Sequence, residues 1–130
     1  MIELETGLVF LWGALGGLCR YSLTNLIDYH TFPIITLLIN LAGAFCLPLW
    51  TDYLCQKIHL SKKFNREFGT GFIGSFTTFS GMILDAFKLI QMHQYHFLLL
   101  YLGISMIGGV LLAITGDALA HYLLAKDEVL

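Results

Sequence analysis

Long apolar stretches separated by short polar ones dominate the chain. A helix of about 20 mostly apolar residues, rising 1.5 Å per residue, crosses about 30 Å of hydrocarbon. Four stretches meet that length: residues 7–27, 33–55, 68–90 and 95–124, the last long enough to protrude. Only residues 56–67 read as a polar loop. The pattern predicts an all-α membrane protein, a single four-helix transmembrane domain filling residues 1–130. It leaves no room for a soluble domain and has no internal repeat.

Composition supports that pattern. Charged residues make up 12% of the 130 and apolar residues 57%, with a formal net charge of −2. Mean hydropathy is +0.75. Disordered chains are polar or highly charged, which this one is not. A soluble enzyme needs a more charged surface, and a nucleic-acid binder needs a basic face. The N-terminal flank carries Glu3 and Glu5 where a signal peptide needs basic residues. Lys57, Lys62, Lys63 and Arg66 lie between spans two and three, and Lys126 follows span four. Lys88 is alone near the other face. This bias predicts cytoplasmic termini and a cytoplasmic middle loop. Cys19, Cys46 and Cys55 form no C-x-x-C pair and read as buried thiols. His93 and His96 have a spacing that suits a metal, but without a third ligand nearby they read as interfacial polar residues.

Polar groups inside apolar spans need a physical reason, because lipid offers them no partner. Arg20 lies well inside span one, either reaching for the headgroups or standing as a fixed positive charge. Asn40 lies near the middle of span two, with Thr36 four residues earlier on the same face. Its amide either glues helices together or offers N–H donors to an anion. Residues 69–81 put glycines before a hydroxyl-rich run, poor material for a straight helix. A break near residues 74–79 would free backbone groups at mid-membrane, tolerated only inside protein or along a cavity. Gly13 and Gly17 form a G-x-x-x-G face, and Gly108 and Gly109 add small residues to span four. Asp28, Asp52, Asp85 and Asp117 read as acids at span ends, Asp85 with Lys88 as a surface pair. No arrangement resembles a catalytic site.

Three motifs occur in order, one per span. They are Gly-Gly-x-x-Arg-Tyr at 16–21, Thr-Leu-x-x-Asn-x-x-Gly at 36–43 and Gly-x-x-Thr-Thr-Phe-Ser at 74–80. Together they resemble the CrcB/Fluc family of fluoride channels, over essentially the whole chain. The resemblance implies two small subunits packed antiparallel as a dual-topology dimer, two narrow fluoride pores, and a third helix broken at mid-membrane. It also implies a sodium ion at the dimer centre, held by backbone carbonyls that map to Gly74 and Thr77. Asn40 would be the pore amide, with Thr36 on the same polar track. Phe79 would be the pore phenylalanine, flanked by Thr78 and Ser80. Arg20 would stand in the aqueous vestibule.

One departure is clear. Where the family pattern continues Thr-Phe, this chain has Gly81 and Met82. Met is polarizable but has no ring edge to offer an anion. Together with the charge bias, this raises a heterodimer in which an oppositely oriented homologue supplies the missing ring. The implied function is passive, electrodiffusive fluoride export across a bacterial-type plasma membrane, which lowers cytoplasmic fluoride. A non-conducting or half-functional subunit is the alternative. A small multidrug-type proton-coupled exporter would need a buried Glu in span one, and Glu3 and Glu5 lie too near the terminus.

Overall fold

The computed structural model describes residues 2–26 and 32–129. All regular structure among them is helical. Helix α1 is Ile2–Leu26. Helix α2 is Ile34–Lys57 and passes through a π-helical turn, Leu49–Leu54, that follows Pro48. Pro48 has no N–H to give the preceding turn, so the local ladder has to be rearranged there. Helix α3 covers residues 62–76, with a second π turn at Gly69–Ile73. Helix α4 is Phe79–Gln91. Helix α5 covers residues 95–129, with a third π turn at Ile104–Gly108.

Among the described residues three segments are long and apolar enough to cross a membrane: Ile34–Lys57, Lys62–Gln91 and Tyr95–Asp127. Helix α1 is the fourth rod. Only 6% of the most apolar window of α5 is buried. Such a surface of Leu, Ile, Met and Val side chains belongs in lipid rather than water.

The expected polar loop is shorter than its sequence suggests. Helix α3 starts at Lys62, well before the expected residue 68, because Ser61 caps it: its hydroxyl accepts from Phe64 N at 3.1 Å. Both tight connections end in a left-handed histidine. His59 has φ 52° and His93 φ 56°. In each, the following residue reaches back to close the turn: Leu60 N to Cys55 O at 2.9 Å, and Gln94 N to Leu89 O at 2.9 Å. His93 Nδ1 lies 3.2 Å from the Tyr95 hydroxyl, and the His96 ring packs on Phe97 at 4.2 Å. Among the described residues no three of His, Cys, Asp and Glu gather as a metal site.

Helices α1 and α3 meet backbone to backbone. A methyl group added to Gly71 would lie 2.8 Å from Val9 O, and one on Gly16 would run into the Phe72 carbonyl. Gly17, half of the expected G-x-x-x-G face, looks onto open space, so the contact pair is Gly13 and Gly16. One residue moves a side chain by about 100° around a helix, which turns Gly17 off the contact. Helix α5 meets α2 the same way, where a Cβ on Gly116 would sit 2.5 Å from Phe45 O. Cys55 is buried, but Cys19 and Cys46 are exposed on the apolar surface, against expectation. Thiols that behave as small hydrophobes cost nothing at an apolar boundary. Ile27 and Asp28 lie outside the described residues.

Two apolar clusters hold the bundle. At the end nearer the 92–94 turn, Leu37, Met82, Ala86, Leu89 and Tyr101 form a buried core with Phe32 and Phe97 around it. At the other end α3 carries a phenylalanine ladder. Phe64, Phe68, Phe72 and Phe76 follow at four-residue spacing, with centroids 6.2, 5.0 and 6.1 Å apart. Trp12 and Trp50 pack on it at 5.1 and 4.3 Å from Phe68.

The left-handed position at residue 59 yields a direct expectation. His59→Gly relieves a backbone cost of about 1 kcal/mol and raises the unfolding midpoint in mild detergent. His59→Val lowers it.

Candidate functional site

The third apolar segment is interrupted at two residues. Helix α3 ends at Phe76, and Thr77 and Thr78 are extended, with ψ of 156° and 117°. The Thr78 hydroxyl then caps α4 by accepting from Gly81 N at 2.9 Å. The break falls within the stretch where the sequence predicts one. Extended backbone inside an apolar protein leaves N–H and C=O groups that must find partners.

Asn40 supplies them. Its Nδ2 donates to Thr78 O at 3.0 Å, and its Oδ1 accepts from Thr78 N at 2.8 Å. The amide thus replaces, for one peptide unit on each side of Thr78, what the helix no longer provides. Of the two chemical roles open to Asn40 on sequence, the strap between helices is present in the geometry. The side chain carries one further N–H.

Arg20 meets the other end of the break. Its Nε donates to Ser75 O at 3.4 Å, a long bond. A guanidinium at the C-terminal end of α3 also sits where the helix dipole favours a cation. Thr77 turns back onto its own helix, its hydroxyl donating to Ile73 O at 3.1 Å.

Thr36 is buried, and its hydroxyl donates to Asp85 Oδ2 at 2.7 Å. Lys88 Nζ donates to Asp85 Oδ1 at 3.3 Å. Asp85 is only 6% exposed. This corrects the expectation of a surface pair: the lysine is exposed, the carboxylate is not. The signal was present in the sequence. Met82, Ala86 and Leu89 define the buried face of α4, and Asp85 falls on it.

A cavity of about 170 Å³ joins these groups. Arg20, Thr24, Thr36, Thr78, Asp85 and Lys88 line it together with Gly81 and Leu84. It therefore gathers two cations, a carboxylate and three hydroxyl-bearing side chains beside the break. Arg20, Thr36 and Thr78 come together here, and Asn40 reaches the same point through Thr78. Ser80 lies on the exposed side, its hydroxyl 3.3 Å from that of Thr78. Phe79 is 74% exposed, its ring turned away from the rest of the chain. Met82 points the opposite way, into the core beside Leu37 and Tyr101. Gly74 is exposed near the end of α3, and Thr77 is half-buried.

Comparison with known proteins places this geometry in context. The family model described as CrcB-like protein, Camphor Resistance (CrcB), matches residues 7–117. The chain is 45% identical over 114 residues to Fluoride-specific ion channel FluC 1 of Latilactobacillus sakei subsp. sakei (strain 23K), covering 87% of this chain and 84% of that protein. It is 38% identical over 120 residues to Fluoride-specific ion channel FluC 2 of Listeria monocytogenes serotype 4b (strain F2365), covering 92% and 93%. It is 40% identical over 122 residues to Fluoride-specific ion channel FluC 1 of Bacillus cereus (strain ATCC 10987 / NRS 248), covering 92% and 89%.

Removing the Asn40 strap leaves the Thr78 peptide groups without partners. Asn40→Ala lowers unfolding free energy by about 2 kcal/mol, read by tryptophan fluorescence in mild detergent. An unchanged midpoint would mean that water or another group replaces the strap.

Proposed function

This chain belongs to the CrcB family, and we propose that it is a fluoride-specific ion channel that lets the anion leave the cell passively. The broken helix held by Asn40 carries the reading, together with the fluoride-channel names of the relatives. Fluoride enters cells as HF in acidic surroundings and ionises inside. A negative-inside membrane potential then drives the anion out through an open pore. No catalysis is required.

Fluoride sheds its water only where donors replace it. The second N–H of Asn40 and the hydroxyls of Thr78 and Ser80 are the donors assigned to that task, with Thr36, whose hydroxyl proton goes to Asp85, on the same polar track, and the edge of the exposed Phe79 ring adds a positive electrostatic surface. Arg20 raises the local anion concentration at the cavity mouth. A narrow bore rejects chloride. The exposed ring of Phe79 suits a pore completed by a second, oppositely oriented subunit, either another copy or a homologue.

The interrupted end of α3 also suits a structural sodium ion. Unwound backbone carbonyls coordinate such ions in other broken membrane helices. Gly74 and Thr77 would provide the carbonyls, one set from each subunit of the dimer. The Lys and Arg distribution favours cytoplasmic termini and a cytoplasmic loop at residues 56–67 for this chain.

Purified chain reconstituted alone into liposomes, with potassium ionophore to set the voltage, gives fluoride efflux on a fluoride electrode and none of chloride. Phe79→Ala lowers that efflux by about tenfold or more, about 1.4 kcal/mol of barrier. Folded protein without efflux would overturn conduction by this chain alone, and co-reconstitution with an oppositely oriented homologue would then test the heterodimer.

A further inference from the structure

The cavity of about 170 Å³ beside the break has a carboxylate in its wall, which repels any anion that enters. Asp85 is 6% exposed and Thr36 5%. The Thr36 hydroxyl donates to Asp85 Oδ2 at 2.7 Å, a bond that an amide oxygen would accept as well. What a carboxylate adds is charge. Lys88, one turn along α4, meets that charge with its Nζ 3.3 Å from Oδ1. The lysine side chain is 54% exposed and the aspartate side chain 8%, so the pair runs from the open side of the cavity inward.

We propose that Lys88 sets how fast fluoride passes this cavity, by neutralising Asp85. It is a positioning residue that acts through the carboxylate and need not touch the ion. The inference rests on the fluoride-channel reading and adds a residue to it. Three observations support it. First, charges rather than these hydroxyls govern the attraction for anions. Thr36 gives its proton to Asp85, and the Thr24 hydroxyl donates to Arg20 O at 3.1 Å and Tyr21 O at 3.0 Å. Second, the balance is narrow. Arg20 and Lys88 bring two positive charges against the one negative charge of Asp85. Without Lys88 the remaining two cancel. Third, confinement leaves no way round the carboxylate. An ion held in so small a space stays within about 6 Å of it. At that distance, with an effective dielectric constant of about 20, an unpaired negative charge lowers the local concentration of a monovalent anion about a hundredfold.

Two other accounts compete. An exposed i,i+3 ion pair contributes little to anything. Asp85 is not such a partner, because a carboxylate withdrawn from water needs a counter-charge. In the second account Lys88 gathers anions by its own charge. That role needs no Asp85, and the two accounts part on this point.

The test uses the whole chain in liposomes, with potassium ionophore setting the voltage and a fluoride electrode reading efflux. Alkaline buffer keeps the neutral acid HF from carrying fluoride through lipid. If the chain conducts only beside an oppositely oriented homologue, the variants are read in that mixture. Lys88→Gln lowers efflux about tenfold or more, and Lys88→Arg, which keeps the charge, stays within about twofold of wild type. The same Lys88→Gln change made in Asp85→Asn protein costs no more than about twofold, because no carboxylate is left to neutralise. Gel filtration and tryptophan fluorescence check folding, and Lys88→Met replaces Lys88→Gln if that variant does not fold. An unchanged rate in the folded Lys88 variant overturns the proposal. So does an equal loss in both backgrounds, the result expected of a steering charge. A folded Asp85→Asn protein that no longer conducts overturns it too, since a charge that has only to be neutralised can be removed. Wild-type protein that conducts no fluoride in either arrangement overturns the channel reading and this inference with it. The other outcomes, read while wild type conducts, overturn the inference alone.

Discussion

Two hydrogen bonds between Asn40 and Thr78, one donated by each, decide whether an interrupted helix can exist inside an apolar protein. Each backbone group left unpaired in such surroundings costs on the order of several kcal/mol. Asn is one of few side chains that can both donate and accept at a fixed spacing, so one residue meets both demands of the Thr78 peptide groups. Gly43 makes this possible. It lies on the same face of α2, one turn from Asn40, and its missing side chain is where the Thr77 methyl sits. A larger residue at 43 would push α2 away and put the amide out of reach.

The two halves of the broken segment are held by different neighbours. Helix α3 is locked to α1 through Gly13, Gly16 and Gly71, with Arg20 donating to Ser75 O just beyond. Helix α4 is fixed through the Leu37, Met82, Leu89 and Tyr101 core to α2 and α5. Thr77 and Thr78 thus join two bodies whose positions are set separately. Cavities open on both sides of that junction, a small polar one beside Asp85 and a large, mostly apolar groove reaching Gly74. The polarity of each follows from what lines it. Hydroxyls and charges on α1, α2 and α4 face one, and aliphatic residues of α2 and α5 face the other.

Much of this was legible in the chain. Apolar run length predicts four spans, of which three stand as long apolar segments among the described residues, and the glycine- and hydroxyl-rich stretch at 69–81 gives the break. Both are local properties that the helix itself enforces. What was not legible depends on rotation between helices. Gly16 rather than Gly17 makes the close contact, because the angle at which α1 crosses α3 is not written in either helix. The buried state of Asp85 depends on Thr36, far away in sequence. The early start of α3 was a matter of weighing Ser61 as a cap above the charges that follow it. Asn40 shows the limit well: its position in a span was plain, but only the fold reveals that its amide binds backbone.

Gly81 and Met82 stand side by side for unrelated physical reasons. At 81 a β-carbon would lie 2.7 Å from Thr78 Cγ2 and 3.1 Å from its hydroxyl. That hydroxyl is the cap of α4, so in this geometry glycine and the cap belong together. At 82 the side chain is buried among Leu37, Ala86, Leu89 and Tyr101, and a flexible thioether fills such a site without demanding a fixed shape. A phenylalanine there would need the core to give way, and overpacking costs about 1–3 kcal/mol. Each residue therefore has a cause within this chain. Phe79 is the residue whose placement looks outward, its ring exposed between a capped helix and an interrupted one. A chain that buries Met82 and presents Phe79 divides two positions of one helical turn between its own stability and whatever lies beyond its surface.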